Sequence, residues 1–320
     1  MSKMVKEISN PFSTGNGGGV FEAHVQASFV ALMLANGYAP CLPCRPISKV
    51  KLQAKHAGYQ TDDLVIFTQD STGVNQSKLL AQIKHSIAIT KKDPTFSEVI
   101  NAAWIDFNNT DIFTKGTDSI ALITGPLSST DISDVRTILE WARNSEDSID
   151  FKQKIELAKF SSASKKRKLE AFENAISKAN GSHVSGDTTL DFLKHFHLLG
   201  YDLDIKAGVT LALLHTLIGQ FSSTDVQSIW AKLILEVQYA NQNAGSITRS
   251  SLPKELVSFF EHKKIEIIPS ELIPQSIRKI TNTGRNANEA AALVAVSLIG
   301  MWNESSAADI DIIKGIVNGL

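Results

Sequence analysis

The tripeptide Gln82-Ile83-Lys84 constrains this chain more than any other feature, because it lies inside the apolar run Leu79-Leu80-Ala81-Gln82-Ile83-Lys84-His85-Ser86-Ile87. Such a run reads as a buried strand. Successive side chains of a strand alternate between faces, so Gln82 and Lys84 leave from the same side. Burying an ammonium and an amide in mid-strand is costly unless both find partners. The sequence offers a partner one strand upstream. Tyr59-Gln60-Thr61-Asp62-Asp63 runs into the short strand Leu64-Val65-Ile66-Phe67, and the segment from Thr68 to Ser77 is rich in turn formers. An antiparallel hairpin over these residues sets Asp63 beside Gln82 and Lys84. Strand register favours Asp63, which abuts the apolar run, and Asp62 stands as the alternative.

A carboxylate, an amide oxygen and an ammonium on one sheet face can hold a hard divalent cation. Mg²⁺ suits such a set, since it binds through one or two carboxylates and keeps several waters for a phosphate substrate. Lys84 could then orient or deprotonate an attacking water, or stabilise charge developing on the phosphate. The plainer reading is a buried amide and a salt bridge that serve only the fold.

Asp63 followed by Gln82-x-Lys84 resembles the variant signature of the PD-(D/E)xK nuclease superfamily in which Gln replaces the usual acid, as in its Mrr-like branch. Gly18-Gly19-Val20-Phe21-Glu22 matches the Gly-x-x-Phe-Glu start of that branch's preceding helix. The wording of Thr61-Asp62-Asp63-Leu64 and Gln82-Ile83-Lys84-His85-Ser86 is also similar to nuclease effector domains of bacterial anti-phage proteins. These include effectors of cyclic-oligonucleotide signalling systems and effectors fused to STAND-type NTPases. The resemblance covers the first half of the chain.

It implies a restriction-endonuclease-like α/β core (αβββαβ, mixed sheet) and a Mg²⁺-dependent, largely sequence-nonspecific endonuclease acting on double-stranded DNA. Asp63, Glu22, Gln82 and the Ile83 carbonyl would hold the metal, with Mn²⁺ able to substitute, and Lys84 would activate water. It further implies a fused or associated NTPase or sensor module. Glu22 reads equally well as an exposed acid favoured by the dipole of a helix start. The competing reading is a DNA-binding or signalling adaptor that kept the nuclease fold and lost catalysis. Its best argument is Gln82, whose neutral amide holds Mg²⁺ less strongly than a carboxylate. A purely helical oligomerisation scaffold would leave a buried Lys84 unexplained.

Along the chain, a glycine-rich approach at Ser13–Gly19 leads into a helix from about Val20 to Asn36, stopped near Gly37. Pro40-Cys41-Leu42-Pro43-Cys44-Arg45-Pro46 reads as a first, irregular edge strand. After the hairpin come a helix over Phe96–Phe107 and a buried strand over Ser119–Thr124. Further helices are expected over Ile132–Arg143, Phe151–Phe160 and Lys165–Ala179. Gly181-Ser182-His183-Val184-Ser185-Gly186 reads as a linker. The periodicity beyond it is helical over Leu190–Leu199, Ala207–Gly219, Thr224–Ala240, Lys254–His262, Asn286–Trp302 and Ala307–Val317. The expected organisation is therefore a nuclease-like domain over 1–180 and an all-α connector or oligomerisation domain over 187–320. The helical half supplies surface for a homo-oligomer. The end at Gly319-Leu320, directly after a helical segment, suggests the N-terminal part of a larger protein.

Composition narrows the alternatives. With 43% hydrophobic and 20% charged residues the chain is an ordinary globular one, and its net charge of −1 gives no global attraction for nucleic acid. Any nucleic-acid groove would have to be a local basic patch. No apolar run reaches membrane-spanning length and the first residues lack a signal-peptide core, so a cytoplasmic protein is expected. Cys41-Leu42-Pro43-Cys44 has redox spacing, yet Pro43 and Pro46 forbid the helix that a thiol oxidoreductase needs there. The glycine run lacks the Gly-Lys-Ser/Thr of a phosphate loop. Lys165-Lys166-Arg167-Lys168 reads as the solvated start of a helix, with a phosphate contact as the functional alternative. His85 reads as a core or supporting histidine, His56, His195 and His197 are given no role, and the eight histidines show no zinc-binding spacing.

Overall fold

A computed structural model describes residues 17–157, 161–204, 207–222 and 225–261. The chain divides into two compact units, 1–261 and 262–320, and every described residue lies in the first. The expected helices Asn286–Trp302 and Ala307–Val317, and the approach before Gly17, fall outside the described residues.

The architecture is α/β, a mixed six-stranded sheet with helices on both faces. In chain order the elements are α1 (Gly17–Leu34), β1 (Ile47–Leu52), β2 (Leu64–Gln69), β3 (Gln76–Lys84), α2 (Pro94–Phe107), β4 (Ser119–Thr124), α3 (Ser129–Arg143), α4 (Ser148–Glu156) and α5 (Ala163–Asn180). There follow α6 (Gly186–His195), β5 (Phe196–Gly200), α7 (Val209–Phe221), α8 (Val226–Gln242), β6 (Ser246–Ile247) and α9 (Lys254–Ser258). The sheet order is β5-β4-β3-β2-β1-β6. β4 runs parallel to both β3 and β5, and the remaining pairs are antiparallel.

Period-two alternation along the central strands builds two cores. Leu64, Ile66, Leu79, Ala81, Ile83 and Ile123 face α1, α7 and α8, meeting Phe21, Val25 and Phe29. Val65, Leu80, Ile120 and Leu122 face α2, α3, α5 and α6, meeting Phe96, Ile138, Phe172 and Phe192. Such strands are buried on both sides, which is why their sequences read as continuous apolar runs. The expected hairpin forms, with a tighter connection: β2 and β3 pair from Leu64↔Ala81 to Gln69↔Gln76, leaving Asp70–Asn75 as the turn. Asp70 organises that turn by accepting from Thr72 and Asn75.

Four expectations are corrected. The first strand begins at Ile47, beyond the proline stretch at 40–46, because Pro40, Pro43 and Pro46 have no N–H to give to a ladder. It is also not an edge strand, since β6 pairs outside it. The part after residue 187 is not all-α. The helix expected over Leu190–Leu199 ends at His195, and Phe196–Gly200 pairs with β4 as a parallel strand. The open edge of β4 needs a partner for its backbone groups, and Phe196 and Leu198 bury one face of the pairing. The expected division near 180–187 therefore falls inside one sheet, with Gly181 closing α5 in the left-handed region at φ 72°. Finally, the basic run, read as the solvated start of a helix, does open α5, but with Lys168 buried and three of its four cations paired. Lys165 pairs with Asp134 at 3.0 Å, Lys166 with Glu156 at 2.5 Å and Lys168 with Asp131 at 2.5 Å.

Phe196 is 1% exposed and stacks among Phe172 and Phe192. Phe196→Ala should lower unfolding free energy by about 3–5 kcal/mol in a urea titration. An unchanged midpoint would detach β5 from the core of this sheet.

Candidate functional site

A cluster of polar side chains gathers where β2 begins and β3 ends. Asp63 precedes β2 directly, and the Leu64↔Ala81 pairing places it opposite Gln82. Both residues are 8% exposed. One oxygen of Asp63, Oδ2, accepts three donors: the Gln82 amide, the Ile83 backbone N–H at 2.7 Å and the Lys84 ammonium at 3.4 Å. Gln82 and Lys84 therefore share a face as strand alternation requires, and the carboxylate is the partner that their burial demanded. The Lys84 side chain keeps 33% exposure against 11% for Asp63, so the ion pair opens to solvent on the lysine side.

Glu22, on α1, joins the cluster from the neighbouring layer. Its Oε1 accepts from Gln26 at 3.0 Å and from Gln53 at 2.7 Å. Gln26 is fully buried and ties three elements together. Its amide also donates to the Asp63 carbonyl at 2.9 Å, and its own oxygen accepts from Asn241 of α8 at 2.6 Å. Beneath them, the buried Asp106 of α2 accepts from the backbone N–H groups of Gln60 and Thr61, at 2.9 and 2.6 Å. That contact fixes the path of the chain into Asp62-Asp63. Asp62 is half-buried, and its charge adds a small upward push to Asp63, Glu22 and Asp106, all raised chiefly by burial.

Sequence reasoning named Glu22, Asp63, Gln82, Ile83 and Lys84, and the structure brings all five together. It missed Gln26, Gln53, Asp106 and Asn241. Gln26 carried a usable signal, since it lies four residues after Glu22 on one helix face. Asp106 did too, as a lone acid among Ala103, Trp104 and Phe107. His85 turns to Asp204 at 3.1 Å and packs edge-on against Phe21. Gly125 is required beside it, because a Cβ there would lie 2.6 Å from the His85 carbonyl. The Cys41 thiol is pushed up to about 11 by burial, the opposite of an activated redox cysteine.

Burial, followed by the nearby Asp63 charge, raises Glu22 from an ordinary 4.5 to about 7. Burial also raises Asp63, against the pull of Lys84 and the Ile83 N–H. These electrostatics bear on the expected Mg²⁺ site. A hard cation needs carboxylate oxygens turned towards it. Here Asp63 Oδ2 and Glu22 Oε1 are directed at protein N–H donors, and Gln82 presents its NH₂ to Asp63. Among the described residues no group of three or more His, Cys, Asp or Glu side chains could hold a metal ion. A cation there would compete with these donors for Asp63 Oδ2 and Glu22 Oε1.

Neither a family model nor a curated protein matches the sequence. The solved structures to which this chain is similar include two of the Acinetobacter baumannii Cap4 SAVED/CARF-domain containing receptor. One is described with the cyclic trinucleotide 3'3'3'-cAAA, at 12% identity and TM-score 0.45 over 76% of this chain and 46% of that one. The other, described without it, gives 12% identity and TM-score 0.44 over 76% of this chain and 45% of that one. The chain thus spans less than half the length of either receptor. Where the sequence resembles PD-(D/E)xK nucleases, the structures found are described as SAVED/CARF-domain containing receptors and not as nucleases.

Two outcomes follow from the cluster. Asp63→Ala strands three donors without their acceptor and should cost about 2–4 kcal/mol in a urea titration, whereas Lys84→Met should change stability by less than about 1 kcal/mol. Equal effects would show that Asp63 is not the hub. Stability should also depend on pH through Glu22. Between about pH 4.5 and about 7 the folded state holds a proton that the unfolded chain has released, so stability falls as pH rises through that window. Asp63, also raised, adds in the same sense. Urea midpoints measured across this range should decline less steeply in Glu22→Gln.

Proposed function

We propose that the chain is an adaptor module of a signalling receptor in anti-phage defence, built on a nuclease-like scaffold and acting by binding rather than by cleavage. The observation that supports this reading is the saturation of Asp63 Oδ2 by three protein donors. A cluster closed on itself in this way holds β2, β3 and α1 in one arrangement, which is what a module transmitting a signal needs from its core. The order helix, three strands, helix, strand over 17–124 supports a restriction-endonuclease-like core as that scaffold. The adaptor would work with a sensor module, fused or associated, and as a homo-oligomer. No helix among the described residues is long and apolar enough to cross a membrane, so the proposed partners do not include one.

The test is direct. Supercoiled plasmid incubated with the full chain should remain intact with Mg²⁺ and with EDTA alike, and Mg²⁺ should not raise the melting temperature. In a bacterial host protected by the native system, Lys84→Ala should retain protection in a phage challenge. Mg²⁺-dependent nicking that disappears in Lys84→Ala, together with lost protection, would overturn the adaptor reading.

A further inference from the structure

α7 and α8 pack side by side over α1, and their inward residues, such as Leu214 and Ile218 from α7 and Trp230 and Leu233 from α8, belong to the core. The His215 ring meets Trp230 at 6.3 Å between the two helices. Their outward sides are apolar as well. Val209 and Leu213 on α7 are 68 and 65% exposed, and Leu235 and Tyr239 on α8 are 63 and 69% exposed. The members of each pair are one turn apart, so each pair forms a stripe on one helix face. α7 contains no Asp, Glu, Lys or Arg at all. A surface helix normally turns polar residues to water, so two adjacent stripes of this kind call for a partner.

The chemistry of the face selects its occupant. With no charge at its centre, it gives an acidic or a basic partner nothing to recognise. The charges of α8 that border it are one of each sign, Lys232 and Glu236, a turn apart on one flank of Leu235. Lys232 is held there by Glu255 at 2.5 Å, whereas Glu236 has no ion pair among the described residues. In a two-fold contact, residue i of one copy meets j of the other and j meets i. Two α8 helices crossing antiparallel near Leu235 therefore bring Lys232 of each copy towards Glu236 of the other. A partner of single sign would leave one of the two opposed. The helices run for 13 and 17 residues. Side by side they make a face about 20 Å each way, so two copies bury roughly 1,000 Å² in total, the size of a reversible interface. We propose that this face is the contact between two copies of the chain, closed by a two-fold axis. The proposal rests on the homo-oligomeric part of the adaptor reading and gives it a surface.

Sedimentation velocity of the full chain over about 1–100 μM tests it, and the dimer fraction should rise across that range. Leu213→Glu combined with Leu235→Glu should raise the dissociation constant about tenfold or more. Both residues lie outside the two cores, and an unaltered melting temperature verifies folding. Val74 in the β2–β3 turn is as bare and apolar, so Val74→Glu should leave the equilibrium unchanged and separates a specific contact from general stickiness. With Cys44→Ser in place, Leu235→Cys should give disulfide-linked dimers under mild oxidation, and Val74→Cys should not. A chain that stays monomeric throughout would overturn the proposal together with the homo-oligomer. A dimer that survives both glutamates would overturn this surface alone and leave the homo-oligomer standing. Equal loss of dimer in Val74→Glu would also overturn it.

Discussion

The Asp63 carboxylate is where the chemistry of this fold is decided. Two strands bring a side-chain amide, a backbone N–H and an ammonium to a single oxygen in an interior where unmatched donors are costly. Because the acceptor lies just outside β2 and the donors lie in the last turn of the pleat of β3, the hairpin register cannot slip without losing all three contacts. A slip by one residue would also turn Leu79, Ala81 and Ile83 away from α1. Register, core and polar cluster therefore specify one another.

Gln26 extends this coupling beyond the hairpin. A fully buried amide on a helix packed among apolar residues is tolerated because both of its N–H groups donate and its oxygen accepts. It grips the Asp63 backbone from α1, and Asn241 grips it from α8. Asp106 performs a similar task on the other face through Gln60 and Thr61. The approach to Asp63 is thus held from both layers, and the cluster sits at a fixed point rather than on a loose loop.

Much of this arrangement was legible in the sequence, for identifiable reasons. Gln82 and Lys84 could be placed on one face because a strand has a strict period of two. The bounds of β4 at Ser119 and Thr124 followed from a buried run closed by Gly125-Pro126. β5 was not legible, because Phe196-His197-Leu198-Leu199 is too short to separate a buried strand from the end of a helix by periodicity. β6 is a two-residue pairing with no pattern of its own. The residue types at the cluster were readable, but the directions of their donors were not. Gln82 was expected to offer an oxygen to a cation, whereas it presents its NH₂ to Asp63.

The bond between Gln26 and Asn241 spans 215 residues, as does the bond from Arg249 to the Leu34 carbonyl. During synthesis, α1 leaves the ribosome long before either partner exists. Until α8 arrives, the oxygen of Gln26 and the open carbonyl end of α1 must rely on water, within a helix whose apolar residues want burial on nearly every side. Contacts of such long range are slow to form, because chain closure must precede any reward for it. The nascent chain therefore carries α1 covered by β1–β3 on one face and bare on the face that α7 and α8 will bury.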